Sequence, residues 1–249
     1  MDRLKDRVVI ITGAAHHIGQ AYAVRAAEEG AKLVVADLKD CEETAALVRT
    51  AGAEVLPLHV DVSDEAQAND MAARTFERFG RIDCLVNNAA IYDGLSRQSF
   101  MDVDLGEWDR LFQVNVKGTF LCARAVFPYM KDQGSGKIIN IGSSTILNGT
   151  TGFPHYVSSK AAVWGMTRSL AKELGQYGVT VNTLAPGYTN SGAELGMSDS
   201  APQRNPRYRP LDREEVPADL TGTMVHLLSA DSDFMTGQMM VVNGGDFLY

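Results

Sequence analysis

Short apolar runs rich in β-branched residues alternate along the chain with longer segments in which apolar residues recur every three or four positions. The short runs are typical of buried parallel strands, and the longer segments are typical of the amphipathic helices that connect such strands. Strands are predicted over 7–12, 32–37, 54–61, 83–88, 137–142, 179–186 and 239–243. Helices are predicted over 18–30, 41–52, 65–80, a long segment near 104–132, 156–178 and 217–229.

This order of elements predicts the α/β class, as one doubly wound Rossmann-type domain over residues 1–249 with about seven parallel strands flanked by helices. One segment breaks the pattern, because residues 188–215 are rich in Gly, Ser, Pro and charge and have no clear period. It follows directly on the end of a predicted strand, where open α/β sheets bind ligands. We therefore expect a substrate lid there, and a disordered segment is the alternative.

Composition narrows the classes of function. The 249 residues are 45% hydrophobic and 22% charged, as in an ordinary globular domain, and carry a formal net charge of −8. This charge does not suit a nucleic-acid partner, which needs clustered Lys and Arg. The three cysteines stand far apart without a CxxC pair, so we expect reduced thiols in a cytoplasmic protein. The N-terminus lacks the pattern of a secretory signal, and no apolar run reaches the ~20 residues that span a bilayer, so no membrane partner is expected.

The first predicted strand runs into a turn with two glycines and then into a helix, within the stretch TGAAHHIG at 12–19. Such a turn aims backbone N–H groups and the positive end of the helix at an anion, typically the pyrophosphate of a dinucleotide. Gly13 can take backbone angles that are closed to other residues, and Gly19 lets the helix pack close to the sheet. An ordinary strand-to-helix turn is the alternative.

A carboxylate at the end of the second strand supports the dinucleotide interpretation. Asp37 can accept hydrogen bonds from the ribose hydroxyls of an adenosine, and its charge would repel a 2′-phosphate. The sequence therefore predicts NAD rather than NADP as the cofactor. A helix N-cap or turn role is the alternative for Asp37, and Lys39 is the nearby cation.

A third feature is the stretch SSTILNGTTGFPHYVSSK at 143–160. If a helix begins near Pro154, Tyr156 and Lys160 stand at i and i+4 and share one face. An ammonium beside a phenol favours the phenolate and lowers the phenol pKa, which would make Tyr156 a general acid or base near neutral pH. Ser143 follows a predicted strand directly, where its hydroxyl could reach a substrate oxygen.

These motifs, in this order, resemble the short-chain dehydrogenase/reductase family over essentially the whole chain. The resemblance rests on TGAAHHIG at 12–19, Asp37, DV at 61–62, NNAA at 87–90, NVKG at 115–118, Ser143 with YVSSK at 156–160, PG at 186–187 and TGQMMVVNGG at 236–245. It implies an NAD-dependent oxidoreductase that interconverts a secondary alcohol and a ketone by hydride transfer. It also implies a homotetramer.

The resemblance gives roles to the matching positions. Tyr156 is the expected acid/base, Lys160 holds the nicotinamide ribose and tunes the tyrosine, and Ser143 orients the substrate oxygen. Asn115 is expected to anchor a water-mediated proton path. The expected cofactor contacts, besides Tyr156 and Lys160, are Gly13, His17, Ile18, Gly19, Asp37, Asp61, Val62, Asn88, Pro186, Gly187, Thr189 and Ser191.

The glycine-rich turn departs from the family pattern at His17, which stands where a glycine is usual and adds a side chain near the cofactor. This departure leaves the exact shape of the turn open, but not its existence. His16 and His17 are adjacent, but no third ligand is spaced to join them, so no metal site is expected.

The substrate side is the least defined. A mixed set of side chains there suits a small or medium substrate with an apolar or aromatic part. The expected pocket residues are Tyr92, Thr145, Ile146, Asn148, Phe153 and Tyr188. Arg207, with Arg204 and Arg209, could clamp a carboxylate, and the alternative is a solvated or subunit-contacting loop. Two rival functions stay open: an NADP-linked ketone or 3-oxoacyl reductase, and a non-catalytic regulator that senses nicotinamide redox state.

Overall fold

The computed structural model describes residues 2–95, 97–191 and 209–248. The strands are β1 (Val8–Thr12), β2 (Lys32–Asp37), β3 (Val55–His59), β4 (Cys84–Asn87), β5 (Gly136–Ile141), β6 (Val179–Pro186) and β7 (Met239–Val242). The helices are α1 (His17–Glu28), α2 (Glu42–Thr50), α3 (Glu65–Phe79), α4 (Leu105–Phe112), α5 (Thr119–Gln133), α6 (Thr145–Asn148), α7 (Pro154–Leu174) and α8 (Pro217–Leu228). Short 3₁₀ turns follow α7 and α8.

The strands form one parallel sheet in the order β3-β2-β1-β4-β5-β6-β7. The predicted Rossmann-type fold is thereby confirmed. Chain order reverses between β1 and β4, because the chain moves outward in one direction from β1 to β3 and in the other from β4 onward. In open α/β sheets the ligand crevice lies at this reversal, beyond the carboxyl ends of the strands.

Two apolar cores cover the two faces of the sheet. Successive residues of a strand point to opposite faces, so Val9 and Ile11 of β1 pack on one side and Ile10 packs on the other. The first core includes α1, α2 and α8, and the second includes α3, α5 and the end of α7. Burial on both faces explains why the strands read as continuous apolar runs.

Local signals fix several helix ends. Asp64 caps α3 by accepting hydrogen bonds from two backbone amides, and Gly80 ends the same helix with φ of 73°. The glycines at positions 30, 52 and 178 also have positive φ, as the predicted C-caps require. Pro154 occupies the first turn of α7, where its missing N–H costs nothing.

The predicted long helix near 104–132 differs in detail from the structure. It consists of α4 and α5 joined by one π-helical turn, Gln113–Gly118. Single π turns are rare and commonly occur at functional sites, and this one contains Asn115. Of the predicted lid, residues 192–208 lie outside the described residues. No described helix is both long enough and apolar enough to span a membrane.

Candidate active site

A groove of about 940 Å³ lies beyond the carboxyl ends of the strands, at the reversal of chain order between β1 and β4. The loops after β1, β2, β3, β4, β5 and β6 all contribute to its lining. All the residues that sequence reasoning placed at the cofactor line this one groove, together with Ser143. Residues from widely separated motifs are thus brought to a single place.

The glycine-rich turn lies against the loop that follows β4. Gly13 has φ of 65°, and a Cβ atom on it would lie only 2.7 Å from the Cα of Ala89. A Cβ atom on Gly19 would overlap the carbonyl oxygen of Gly13. Neither position can carry a side chain without moving backbone, so the two glycines of this turn are required by the close packing itself.

His17 has a left-handed backbone conformation. Its φ is 57°, in the left-handed region that costs a non-glycine residue energy. The imidazole Nδ1 lies 3.1 Å from the carbonyl oxygen of Ser191, across the groove. Glycine adopts this left-handed conformation easily. The imidazole that His17 adds reaches across the groove to the loop after β6.

Polar side chains behind the turn hold its shape. The Asn88 amide donates to the carbonyl oxygens of Thr12 and Gly13, at 3.1 and 2.9 Å. The Thr12 hydroxyl in turn accepts from the backbone amides of Asn88 and Ala89, each at 3.1 Å. The side chain of Asn88 therefore links the loops after β1 and β4, and the residue lies on the groove as predicted.

Asp37 is fixed at the end of β2 by two backbone amides. One carboxylate oxygen accepts from Ala15 at 3.0 Å, and the other accepts from Lys39 at 2.9 Å. Because each carboxylate oxygen can accept more than one hydrogen bond, the group still has acceptor capacity that faces the groove. Asp61 is likewise held locally, since it accepts from the amide and the hydroxyl of Ser63.

On the β6 side, a buried carboxylate that the sequence did not indicate organises the loop. Glu215 accepts from the Gly187 amide at 3.1 Å and from the Thr189 hydroxyl at 2.7 Å. Burial raises the pKa of Glu215 above its usual value. Gly187 and Thr189, both predicted cofactor contacts, are therefore positioned by one acid from the far end of the predicted lid.

The wall of the groove that is formed by the end of β5 and the start of α7 carries the reactive side chains. Ser143 lies two residues beyond the end of β5, and its hydroxyl accepts from the Thr145 hydroxyl at 3.0 Å. Tyr156 and Lys160 both lie in the first turns of α7, and both are buried. The Ser143 hydroxyl hydrogen-bonds with the phenol of Tyr156. The structure therefore brings these three residues together, as their spacing suggested.

The expectation that Lys160 lowers the pKa of Tyr156 is wrong for this structure. Burial, and next the neighbouring phenol of Tyr92, raise the pKa of Tyr156 above its usual value, although the hydrogen bond with Ser143 lowers it. Lys160 does not depress this pKa, because its ammonium donates to the Ile141 carbonyl at 2.9 Å and lies 5.8 Å from the centre of the phenol ring. Burial also lowers the pKa of Lys160 to about 8.

Asn115 lies behind the groove rather than among its lining residues. Its side-chain oxygen accepts from the Ile91 amide at 2.7 Å, and its amide donates to the Ser159 hydroxyl at 3.2 Å. Its backbone carbonyl accepts from Thr119 at 2.8 Å. The side chain thus connects the loop after β4 to α7. The proton path that was expected there stays a prediction.

Four of the six expected pocket residues line the groove, whereas Ile146 and Asn148 are not among its lining residues. Tyr92, Thr145, Phe153 and Tyr188 line the groove, and the rings of Tyr92 and Tyr156 are 5.1 Å apart. Arg207 and Arg204 lie outside the described residues.

Arg209 does not face a substrate as suggested. Its side chain is 10% exposed, donates to the Tyr188 carbonyl at 3.3 Å and lies 4.0 Å from Glu215.

Several lining residues were missed by sequence reasoning. Arg97 and Arg110 are exposed cations on the substrate side of the groove, and the Arg97 guanidinium lies 5.6 Å from the centre of the Phe153 ring. Neither residue stands in a motif, so no signal in the sequence indicated it.

Asp93 was also missed by sequence reasoning, and it lies beside the adjacent histidines His16 and His17. The expectation that no third ligand joins His16 and His17 is wrong, because the side chains of these three residues have ligand atoms within 4.8 Å of one another. Asp93 lies in the loop after β4, more than 70 residues away along the chain. Spacing along the sequence could not show this approach.

Comparisons with known proteins agree with this geometry. A family model described as enoyl-(acyl carrier protein) reductase matches residues 13–246. The chain is 38% identical to the (2S)-[(R)-hydroxy(phenyl)methyl]succinyl-CoA dehydrogenase subunit BbsD of Thauera aromatica, over 99% of this chain and 98% of that protein. It is 35% identical to the 3-oxoacyl-[acyl-carrier-protein] reductase FabG of Thermotoga maritima, over 98% of each. A solved short-chain type dehydrogenase/reductase from Mycobacterium marinum superposes with a TM-score of 0.87 and 34% identity, covering 99% of this chain and 97% of that one.

Proposed function

Because the chain belongs to the short-chain dehydrogenase/reductase family, whose members are nicotinamide-dependent oxidoreductases of alcohols and ketones, we propose that it interconverts a secondary alcohol and a ketone with NAD. The observation that carries this proposal is the composition of one groove. The glycine-rich turn and Asp37 form its cofactor side, and Ser143, Tyr156 and Lys160 form its reactive side.

The cofactor side fits a dinucleotide. The turn presents backbone at a helix N-terminus without side chains at Gly13 and Gly19, which suits a pyrophosphate. Asp37, held by two amides, would accept the ribose hydroxyls, and Lys160 would hold the ribose of the nicotinamide. When bound there, the nicotinamide ring would donate or accept the hydride.

The reactive side supplies the proton and holds the substrate oxygen. In the direction of ketone reduction, Tyr156 must be protonated to donate to the oxygen, and its raised pKa keeps it so at neutral pH. Ser143, already hydrogen-bonded to the phenol, would hold the same oxygen as negative charge develops on it. In the direction of oxidation Tyr156 must lose its proton, which would require Lys160 to turn from Ile141 toward the phenol.

We further propose that the proton leaves Tyr156 through Lys160 toward the region of Asn115. The buried ammonium of Lys160 donates to the Ile141 carbonyl of β5 and lies 5.8 Å from the centre of the phenol ring, and its pKa of about 8 suits proton exchange near neutral pH. Asn115, bonded to Ile91 and Ser159, would keep this end of the path in place.

The substrate proposed for this site carries an aromatic or other apolar group. Tyr92 and Phe153 form an apolar cluster beside Tyr156, so a flat ring next to the reacting carbon would be buried there. The relative from Thauera aromatica is named for a hydroxy(phenyl)methyl group, which is consistent with such a pocket. Arg97 and Arg110 add positive charge on the substrate side of the groove, where an acidic or thioester-linked substrate part could contact them.

An NADP-linked 3-oxoacyl reductase is the second candidate. Lys39 and His16 lie beside Asp37 and could attract a 2′-phosphate, and the relative from Thermotoga maritima is named as a 3-oxoacyl reductase. Asp37 opposes this candidate, because its charge repels that phosphate.

The deciding experiment measures kcat/KM with NADH and NADPH on aryl ketones and on a 3-oxoacyl thioester. We expect at least about tenfold preference for NADH, and Asp37→Ser should reduce or reverse it. A preference for NADPH in the parent enzyme would overturn the NAD assignment. Absence of turnover across the panel with both cofactors would favour a regulator that only senses the nicotinamide pool.

A homotetramer is also proposed, with α7 and the C-terminal region between subunits. Phe234 is fully exposed and Leu248 is 87% exposed, which suits apolar surface that a second copy covers. Light scattering of the purified protein would test this, and a monomer would contradict it.

A further inference from the structure

His16, His17 and Asp93 converge on the rim of the cofactor groove. Their ligand atoms all lie within 4.8 Å of one another, although the histidines belong to the turn after β1 and Asp93 belongs to the loop after β4. Two imidazoles and one carboxylate form a donor set that suits Zn²⁺, which binds such groups at about 2.0–2.2 Å. Small side-chain rotations would bring the three atoms to the separations that a tetrahedral ion needs.

The ring of His17 is held by a hydrogen bond on one of its two nitrogens. Its Nδ1 lies 3.1 Å from the Ser191 carbonyl oxygen, and a carbonyl can only accept, so the Nδ1–H tautomer donates to it. The lone pair is then on Nε2. A ligating histidine usually donates its other ring N–H to a carbonyl or carboxylate in this way, which fixes both the ring and the tautomer.

From this geometry we propose that His16, His17 and Asp93 bind one zinc ion and that the bound ion competes with the dinucleotide. An ion held by all three residues would tie the loop after β1 to the loop after β4. These loops already pack against each other, and all three residues line the cofactor groove, so the ion and its remaining ligands would occupy space that a bound dinucleotide needs.

Lys39 opposes the ion in the ligand-free protein. Its ammonium lies 3.4 Å from Nε2 of His16, and because the side chain is exposed it can turn away when zinc binds. Removing this positive charge should tighten zinc binding. Two unit charges ~4 Å apart in water change an affinity by about fivefold, and zinc carries two charges, so Lys39→Ala should bind zinc at least about fivefold more tightly.

The test is calorimetric titration of the cofactor-free protein with ZnCl₂, which does not depend on the proposed reaction. We expect one site per chain. Asp93→Asn should weaken it by at least about tenfold, since even the loss of an outer partner costs 10–100-fold at metal sites. His17→Gly should do the same, and glycine accepts the left-handed backbone there, so the fold should be kept. His226→Gln is the matched control and should bind like the parent, because His226 lies in the last turn of α8, whose final residue contacts the start of β4.

The second measurement is NADH binding by fluorescence at several zinc concentrations. The apparent Kd for NADH should rise linearly with free zinc in the parent, and in Asp93→Asn it should rise at least about tenfold less steeply. No zinc binding, or binding that Asp93→Asn and His17→Gly leave unchanged, would overturn the site. One-site binding with an unchanged NADH affinity would overturn the competition. Only the competition depends on the proposed cofactor groove, so the two failures are distinguishable.

Discussion

The two sides of the groove are built on different principles. On the cofactor side the turn after β1 is defined by backbone: Gly13 and Gly19 have no room for a side chain, and Asn88 holds the carbonyls from behind. On the reactive side the chemistry lies in the functional groups of Ser143, Tyr156 and Lys160, which are all buried. On the cofactor side, a change in backbone shape should therefore weaken cofactor binding. On the reactive side, the removal of a single atom should be enough to slow the reaction.

The largest expected effect is on the reactive side. Tyr156→Phe removes one oxygen that donates the proton in reduction, and general acid–base catalysis is worth 10²–10⁴-fold, so kcat should fall by about 10³-fold. The affinity for NADH should change by no more than about twofold, because the cofactor side is untouched. Steady-state kinetics and NADH fluorescence titration measure the two quantities.

Tyr177→Phe, beyond the end of α7, provides the control for loss of a phenol oxygen and should turn over like the parent. Turnover of Tyr156→Phe near the parent's rate would remove the tyrosine from its proposed role.

The second effect is on the cofactor side, where a substitution should weaken NADH binding although it removes no functional group. Gly19→Ala removes no functional group, but its methyl would overlap the Gly13 carbonyl and lie 2.9 Å from the Cα of Ala14. Such overpacking costs about 1–3 kcal/mol, so NADH affinity should fall by about tenfold to 100-fold as the turn shifts. Calorimetry with NADH measures this, and circular dichroism reports whether the fold is kept.

Gly222→Ala is the matched control, because that glycine lies exposed in α8 with no atom near its added methyl. It should bind NADH normally and gain slightly in stability. If Gly19→Ala bound NADH within about threefold of the parent, the turn would tolerate the shape change and the contrast between the two sides would not hold.

The same contrast explains how far the sequence predicted the molecule. The sheet could be predicted because strands buried on both faces leave continuous apolar runs such as VVIIT. The glycine-rich turn could be predicted because its backbone geometry requires particular residues at fixed spacing. The reactive residues could be predicted from the i, i+4 pair of Tyr156 and Lys160 on one helix.

What could not be predicted depends on which loops meet. Asp93 approaches His17 only because β1 and β4 are neighbours in the sheet, and no local pattern records that pairing. Arg209 contacts Glu215 and Tyr188 within its own loop instead of facing a substrate. The charge state of Tyr156 was predicted wrongly because it depends on burial and on where the Lys160 ammonium points, and the spacing of two residues determines neither.

The smallest expected effect is a change in the free energy of unfolding when Lys160, on the reactive side, is replaced. Lys160 has a pKa of about 8 in the folded protein against an ordinary 10.5, which corresponds to about 3 kcal/mol of destabilisation while the buried amine is charged. Lys160→Met removes that cost but leaves the Ile141 carbonyl without its donor, at about 1 kcal/mol. The variant should therefore be about 2 kcal/mol more stable than the parent at pH 7, and inactive. Urea denaturation at fixed pH gives the free energy of unfolding.

The stability difference between Lys160→Met and the parent should depend on pH in one direction. Between pH 8 and 10.5 the unfolded parent binds more protons at this lysine than the folded parent does, so this group makes the parent more stable as pH rises. The advantage of Lys160→Met should be full below pH 8 and should shrink toward pH 10.5. Lys172→Met, exposed on the same helix, should show no such trend. An advantage that was absent at pH 7, or that grew with pH, would mean that Lys160 is not held as a buried cation beside Tyr156.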